Sequence, residues 1–257
     1  MLKRLVLAMA IVVTSSFATW DLFPVLGASK GQAEAGYLYE TKDKWSFLDS
    51  YVAVRYTFVE NFELAANIPY VIFIHYDGES ANLSGIMDIS LSARYQFFPF
   101  MNAFLDAYFP TCSNDICTVD RAFGYHFGFQ FSETLGVIKF GSELGYIIET
   151  EGSNHISPPS KLNLDLETDF VLGDTFIPYI GININMRVGK TTNHLTNNSE
   201  DHTGEMGYVP YIGTIFNISP IMYLGFQSKF TIGKKYFDYE KLPVILSLKF
   251  GVSFYSN

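Results

Sequence analysis

The sequence is poor in charge: only 17% of its 257 residues are Asp, Glu, Lys or Arg, against roughly 25% in a soluble domain. With 48% hydrophobic and 17% aromatic residues, this argues against an ordinary cytosolic enzyme. It also argues against a disordered chain, because ample apolar area offsets the entropy of ordering. Basic residues are the scarcer sign, 17 against 26 acidic, for a formal charge of -9. Nothing in that balance would neutralise phosphates, so nucleic acid is set aside as a partner. No phosphate-cradling glycine loop or nucleotide motif is present, and no cofactor is expected. Apolar runs of the roughly 20 residues that a spanning helix needs are also missing. The uncharged stretch from Gly207 to Ser228 has the length, but Pro210, Gly213, Asn217, Ser219, Pro220 and Gly225 interrupt it. Those residues predict two strands and a turn instead.

The first eighteen residues have the pattern of a cleaved secretory signal. Lys3 and Arg4 precede the short apolar run Leu5 to Val13, and Ser16-Phe17-Ala18 places small side chains where a signal peptidase reads. Removing those two basic residues takes the charge from -9 to -11 for a mature chain starting at Thr19. No cysteine lies near the cut, which argues against a lipid anchor. The only two cysteines, Cys112 and Cys117, frame four residues between two strand-like segments, and in an exported protein they predict a loop disulfide. Two thiols without a histidine pair make an incomplete zinc site, and the spacing is too long for a redox motif.

Alternation dominates the rest. Between Phe47 and Phe58, Leu48, Val52, Val54, Tyr56 and Phe58 face one way and Asp49, Tyr51, Arg55 and Thr57 the other, a period-two pattern that means a strand. About eleven residues at about 3.3 Å each, tilted about 40°, rise near 28 Å, the height of a hydrocarbon core. The pattern returns over residues 87–97, 123–131, 162–169, 180–187 and 244–254, and less regularly over 32–39, 62–74, 102–109, 137–148, 208–218 and 223–232. Twelve strands result, an even number as a bacterial single-chain barrel requires.

Connections give a second signal. Short turns at 59–61, 98–100, 132–136, 173–175 and 219–220 alternate strictly with long polar loops at 75–85, 110–122, 149–160, 190–207 and 233–242. Outer-membrane barrels place tight periplasmic turns opposite longer external loops in this way. The expected architecture is an all-β, transmembrane, antiparallel up-and-down barrel over residues 32–257, preceded by an N-terminal periplasmic or plug segment over 19–31. A secreted sandwich or lipocalin also alternates, with its apolar face inward, and the pattern alone does not choose between the two. Apolar residues at every second position up to Phe254 form a signal for the barrel-assembly machinery, and outer-membrane lipid is the expected surroundings.

Several segments carry a resemblance. Pro24, Leu26, Gly27 and Gly31 with the run Ala33 to Tyr39, then Phe62 to Tyr70, and Gly85 to Phe97 followed by Pro110-Thr111, resemble the bacterial outer-membrane family of phenol-degradation (MetA-pathway) transporters. Cys112 stands where that family would have a glycine. The resemblance covers about the first half of the chain and implies an exported barrel that moves small, often hydrophobic compounds.

If the polar face points inward, the lumen carries the acids Asp49, Glu63, Asp88, Asp106, Glu143, Asp165, Glu167 and Asp169. The facing bases are Arg55, Arg94, Lys139, Arg187, Lys229 and Lys249, joined by Tyr51, His126 and Asn183. Buried charges need partners, so a ladder of ion pairs stiffening the barrel competes with a selective filter. Hairpin geometry around 132–136 predicts Lys139 opposite Gln130 and Glu143 opposite His126. The Asp165-Glu167-Asp169 row favours cations, and Phe104, Tyr108, Tyr179 and Tyr211 would accommodate an aromatic solute. Four of the five histidines, His75, His155, His194 and His202, fall in loops without a nucleophile motif, so catalysis is not expected. His194 and His202 beside Glu200 and Asp201 form a weak metal pattern. The expected function is a passive channel or facilitator for small solutes, with a structural or surface-interaction barrel of plugged lumen as the alternative.

Overall fold

Period-two strands with one apolar face have two solutions, and burial decides between them. In a computed structural model that describes residues 23–77, 79–80, 83–113, 116–117, 122–237, 239 and 242–255, the polar face is the buried one. Val52 and Val54 are 61% and 43% exposed, while Ala53 between them and Arg55 and Thr57 beyond them are 8%, 9% and 0% exposed. A sandwich or lipocalin core would show the reverse, so the apolar surface faces outward as in a membrane barrel. The signal-like residues 1–18 lie outside the described residues.

Twelve long strands close the barrel. They are β1 (Lys30–Lys42), β2 (Trp45–Val59), β3 (Phe62–Tyr76), β4 (Ile89–Phe98), β5 (Met101–Phe109), β6 (Gly124–Leu135), β7 (Ile138–Glu149), β8 (Ser160–Phe170), β9 (Phe176–Val188), β10 (Met206–Ser219), β11 (Met222–Phe230) and β12 (Val244–Tyr255). Each pairs antiparallel with its sequence neighbours, and β1 closes on β12 from Lys30 opposite Tyr255 to Thr41 opposite Val244. Among the described residues the barrel itself therefore has no open edge strand. The uncharged stretch forms β10, a Pro220-Ile221 turn and β11, and among the described residues no helix is long and apolar enough to cross a membrane.

Both barrel ends meet on the rim of tight turns, where Asn61 and Gly136 take left-handed conformations (φ 67° and 62°) suited to two-residue hairpins. The opposite rim carries the long loops, with one correction to strict alternation. β1 and β2 run on to a two-residue turn at Asp43-Lys44, so the first connection on that rim is short. The β6–β7 hairpin corrects the expected register. Leu135 pairs with Ile138, which places Gln130 opposite Glu143 and Thr134 opposite Lys139, because the turn needs only Gly136 and Val137 rather than five residues.

Glycines inside the strands give room to tyrosines. Tyr51 lies opposite Gly36, Tyr179 opposite Gly213, Tyr211 opposite Gly181 and Tyr223 opposite Gly251. A Cβ at any of the four glycines would fall within 2.5 Å of the facing ring. Each ring therefore lies over its partner strand, a cross-strand packing that helps pin register. On the long-loop rim, the Cys112–Cys117 disulfide (Cα atoms 5.8 Å apart) anchors its loop. Cys112 and Ile116 pack with Trp45, Val71, Ile74 and Met87 in an apolar cluster. A small sheet of Ile156–Ser157, Lys190–Asn193 and Asn198–Asp201 builds up the same rim.

Candidate functional site in the lumen

Every second residue of the strands points into the lumen, so polar side chains from all twelve strands converge there. Near the short-turn rim, Glu63 on β3 is the hub. Arg94 on β4 donates to it from both Nε (3.0 Å) and Nη2, and Arg55 on β2 lies 3.8 Å away. Thr57 Oγ1 and the backbone N–H of Leu26 also donate to Glu63. Arg55 in turn donates to Gln32 at 2.9 and 2.6 Å. A carboxylate 1% exposed is tolerable only with such saturation of its lone pairs.

The segment before β1 enters this cluster. Arg94 Nη1 donates to the Phe23 carbonyl (3.0 Å), and the Val25 N–H donates to Gln96 Oε1 (2.9 Å). Residues 23–26 therefore lie at the short-turn mouth, tied to β3 and β4 through their backbone.

At mid-height the wall is filled. Glu34 on β1 accepts hydrogen bonds from Tyr51 (2.5 Å) and Tyr223 (2.7 Å) and pairs with Lys249 at 3.3 Å. Asp165 accepts from Tyr211 (2.9 Å) and Asn183 (3.2 Å), and Lys229 lies 5.6 Å from the Tyr211 ring centre. His126 lies between two carboxylates, with Nδ1 3.3 Å from Asp106 and Nε2 3.3 Å from Glu143. It reaches Glu143 across Gly145, whose absent side chain leaves the space, while Gln130 donates to Glu143 at 2.8 Å.

The expected lumen residues distribute as follows. Asp49, Tyr51, Arg55, Glu63, Arg94, His126, Glu143, Asp165, Glu167, Asp169, Asn183, Lys229 and Lys249 are all buried. Asp106 and Lys139 are half-buried. Asp88 and Arg187 turn to other work. Asp88 accepts the Cys112 N–H and ties down the disulfide loop. Arg187 joins the cap at the long-loop rim, pairing with Glu205 (2.8 Å) and donating to the Tyr236 carbonyl (3.0 Å). Glu205 also holds His202 and Lys235 at 3.1 and 2.8 Å. Burial pushes the Glu205 carboxyl up, but hydrogen bonds from Lys235, His202 and Arg187 outweigh this and hold it down at about 2.

His194 bonds Ser157 Oγ at 2.9 Å and lies 3.8 Å from Glu151, so the two loop histidines take different partners. Among the described residues no group of three or more His, Cys, Asp or Glu could hold a metal ion. Glu34 is a hub that sequence reading missed, and Gln130, expected opposite Lys139, instead joins Arg94 to Glu143. Glu34 lies among Ala33, Ala35 and Gly36, whose small side chains hide the alternation, although its two-residue spacing from Gln32 marked the inward face.

Where the filled lumen meets the short-turn rim it opens into a cavity of about 510 Å³. Glu167 and Asp169 form its acidic side, Arg55, Lys139 and Lys249 its basic side, and Phe23, Phe100 and Ile177 contribute apolar wall. Among the described residues Glu167 Oε2, Asp169 Oδ1 and the Tyr179 hydroxyl have no hydrogen-bond partner.

The fold is that of bacterial outer-membrane barrels. The COG4313 outer-membrane channel from Pseudomonas putida F1 superposes with a TM-score of 0.70 at 12% identity, over 90% of this chain and 98% of that one. The NanC porin gives 0.55 at 7% identity (88% and 100%) and the CymD monoaromatic hydrocarbon channel 0.50 at 8% (90% and 90%). No sequence family and no curated protein matches the chain.

Proposed function

We infer that the protein is an outer-membrane channel or facilitator for small solutes. The observation that carries this reading is the inverted barrel, apolar outside and polar within, whose lumen opens at the short-turn rim into a solute-sized cavity. The likeness to barrels that include channels and porins supports it. Aromatic side chains on the lumen wall, among them Phe104, Tyr179 and Tyr211, favour small solutes with an apolar or aromatic part, the class that the resemblance to phenol-degradation transporters also implies. The exported location, the removal of residues 1–18 and recognition by the assembly machinery belong to this reading.

One observation favours the alternative of a structural barrel. Side chains toward the short-turn rim such as Glu63, Gln130 and Asn102 are only 1 to 2% exposed, so the described conformation is constricted along that part of the wall. Passage then requires movement of the segment at residues 23–26 or of the loop cap. Swelling of proteoliposomes in small sugars and aromatic alcohols separates the two. Swelling faster than in empty liposomes supports a channel, and none from folded protein supports the structural barrel.

A further inference from the structure

We propose that residues 233–237 form a hinged lid that closes the long-loop mouth of the lumen and is latched there by Lys42 and Arg187. This rests on the channel reading and names how its outer mouth is opened and shut.

The lid is built on one turn of helix, Lys234–Phe237, in the connection between β11 and β12. The last carbonyls of so short a helix have no partner within it, and the barrel wall supplies the donors. Lys42 Nζ donates to the Phe237 carbonyl at 2.8 Å and Arg187 Nη2 to the Tyr236 carbonyl at 3.0 Å. Lys42 ends the buried inward row of Glu34, Leu38 and Glu40 on β1, and Arg187 continues the inward row of Tyr179, Asn183 and Asn185 on β9. The two strands stand four places apart in the ring of twelve. A helical turn held by inward side chains a third of the circumference apart lies over the opening, not beside it. Tyr236 reaches further round. Burial pushes its hydroxyl up to about 12, with the Arg187 guanidinium pulling it down and the Glu149 carboxylate adding to the rise. Glu149 ends β7, on the opposite side of the ring from β1.

Seat and hinge are both glycines. At Gly207 on β10 a Cβ would fall 2.6 Å from the rings of Tyr236 and Phe237, so bare backbone receives them. Tyr236 is 7% exposed there, with the Arg187 guanidinium 4.7 Å from its ring centre. Gly233 has a φ of 126°, which residues with side chains rarely adopt. It follows Ile232, which exchanges two backbone hydrogen bonds with Tyr208 on β10 at 2.8 and 2.7 Å. The foot of the segment is therefore fixed by backbone pairing, while its tip is held by side chains: the two wall cations, the ring contacts at Gly207 and the pair of Lys235 with Glu205. A fixed foot, a glycine and a tip held by side chains let the turn move as a unit.

The test compares the folded full-length protein with Lys42→Met, which keeps the buried stem and removes the donor. Trypsin cleavage after Lys235, followed in detergent by mass spectrometry, requires the Lys235–Tyr236 bond to leave its seat and so reads lid release without conduction. A hydrogen bond from a charged donor is worth roughly ten- to hundredfold in an equilibrium. Cleavage is therefore expected at least about tenfold faster in Lys42→Met and close to wild type in Lys42→Arg, while cleavage after Lys190 in the neighbouring loop keeps its rate. In bilayer recordings Lys42→Met should shorten the closed times by a similar factor at unchanged step size. Equal cleavage after Lys235 in wild type and Lys42→Met would overturn the latch, and so would a parallel rise after Lys190, which marks general loosening of the rim. In a conducting protein, replacement of Lys234–Phe237 by four glycines without a gain in open time would overturn the lid. Faster cleavage after Lys235 in a protein that stays silent in every variant refutes the channel reading and leaves the latched segment standing.

Discussion

Arg94→Ala tests how the lumen is held together. Its guanidinium makes two donations to Glu63, one to the Phe23 carbonyl and a longer one of 3.4 Å to Gln130. Without it, Glu63 keeps Arg55 at 3.8 Å and the donors Thr57 and Leu26. Removing one partner of a buried pair typically costs about 3–5 kcal/mol, roughly a hundred- to several-thousand-fold in the unfolding equilibrium at 1.4 kcal/mol per tenfold. Urea titration in lipid vesicles, followed by the fluorescence of Trp45, would read the loss. Adding Glu63→Gln to Arg94→Ala removes the stranded charge, so the double variant is expected to recover part of the stability. The same substitution frees the strand-preceding segment at Phe23, and conductance should rise. A loss below about 1 kcal/mol would refute the reasoning, since an exposed pair contributes no more than that.

Gly213→Val places a Cβ 2.3 Å from the Tyr179 ring and 2.5 Å from the Phe226 carbonyl and is expected to cost about 1–3 kcal/mol by overpacking, seen as a lower temperature of loss of the folded gel band; Tyr179→Ala in the same chain should restore only part of it, since the backbone contact stays. The cap responds to acid. Glu205 lies below its ordinary value of 4.5, at about 2, so its contacts are fully present above about pH 4.5 and are lost as pH falls through 2. Pepsin cleavage within residues 231–243 should increase over that window, and Glu205→Gln should be cleaved already at pH 4.5. Cys112→Ser with Cys117→Ser should lower stability by about 2 kcal/mol, and reduction of the native protein should have the same effect on the unfolding midpoint.

The strands were legible because alternation over nine to fifteen residues is a local property, set residue by residue by the pleat. The direction of the faces was not, since the same pattern serves a sandwich, and only closure of β1 on β12 turns the polar side inward. Side chains directly across a strand pair, such as Asp106 and His126, need a register, and register depends on turn length. Reading five residues into the β6–β7 turn displaced Glu143 from Gln130 to His126. The link between His126 and Glu143 survives for a different reason, the gap left at Gly145. Contacts between distant strands, such as Glu34 with Tyr223 or Arg187 with Tyr236, have no local signature. They follow from curvature that brings non-adjacent sequence to one wall and folds a loop over it.

The most direct test of the account is single-channel recording in a planar bilayer under a salt gradient, with wild-type protein and a variant lacking residues 19–27. A water path through the lumen, partly closed by the segment at the short-turn mouth, predicts small discrete steps with cation preference for the wild type and larger steps for the deletion. Silence from both proteins, each shown to be folded, would contradict it.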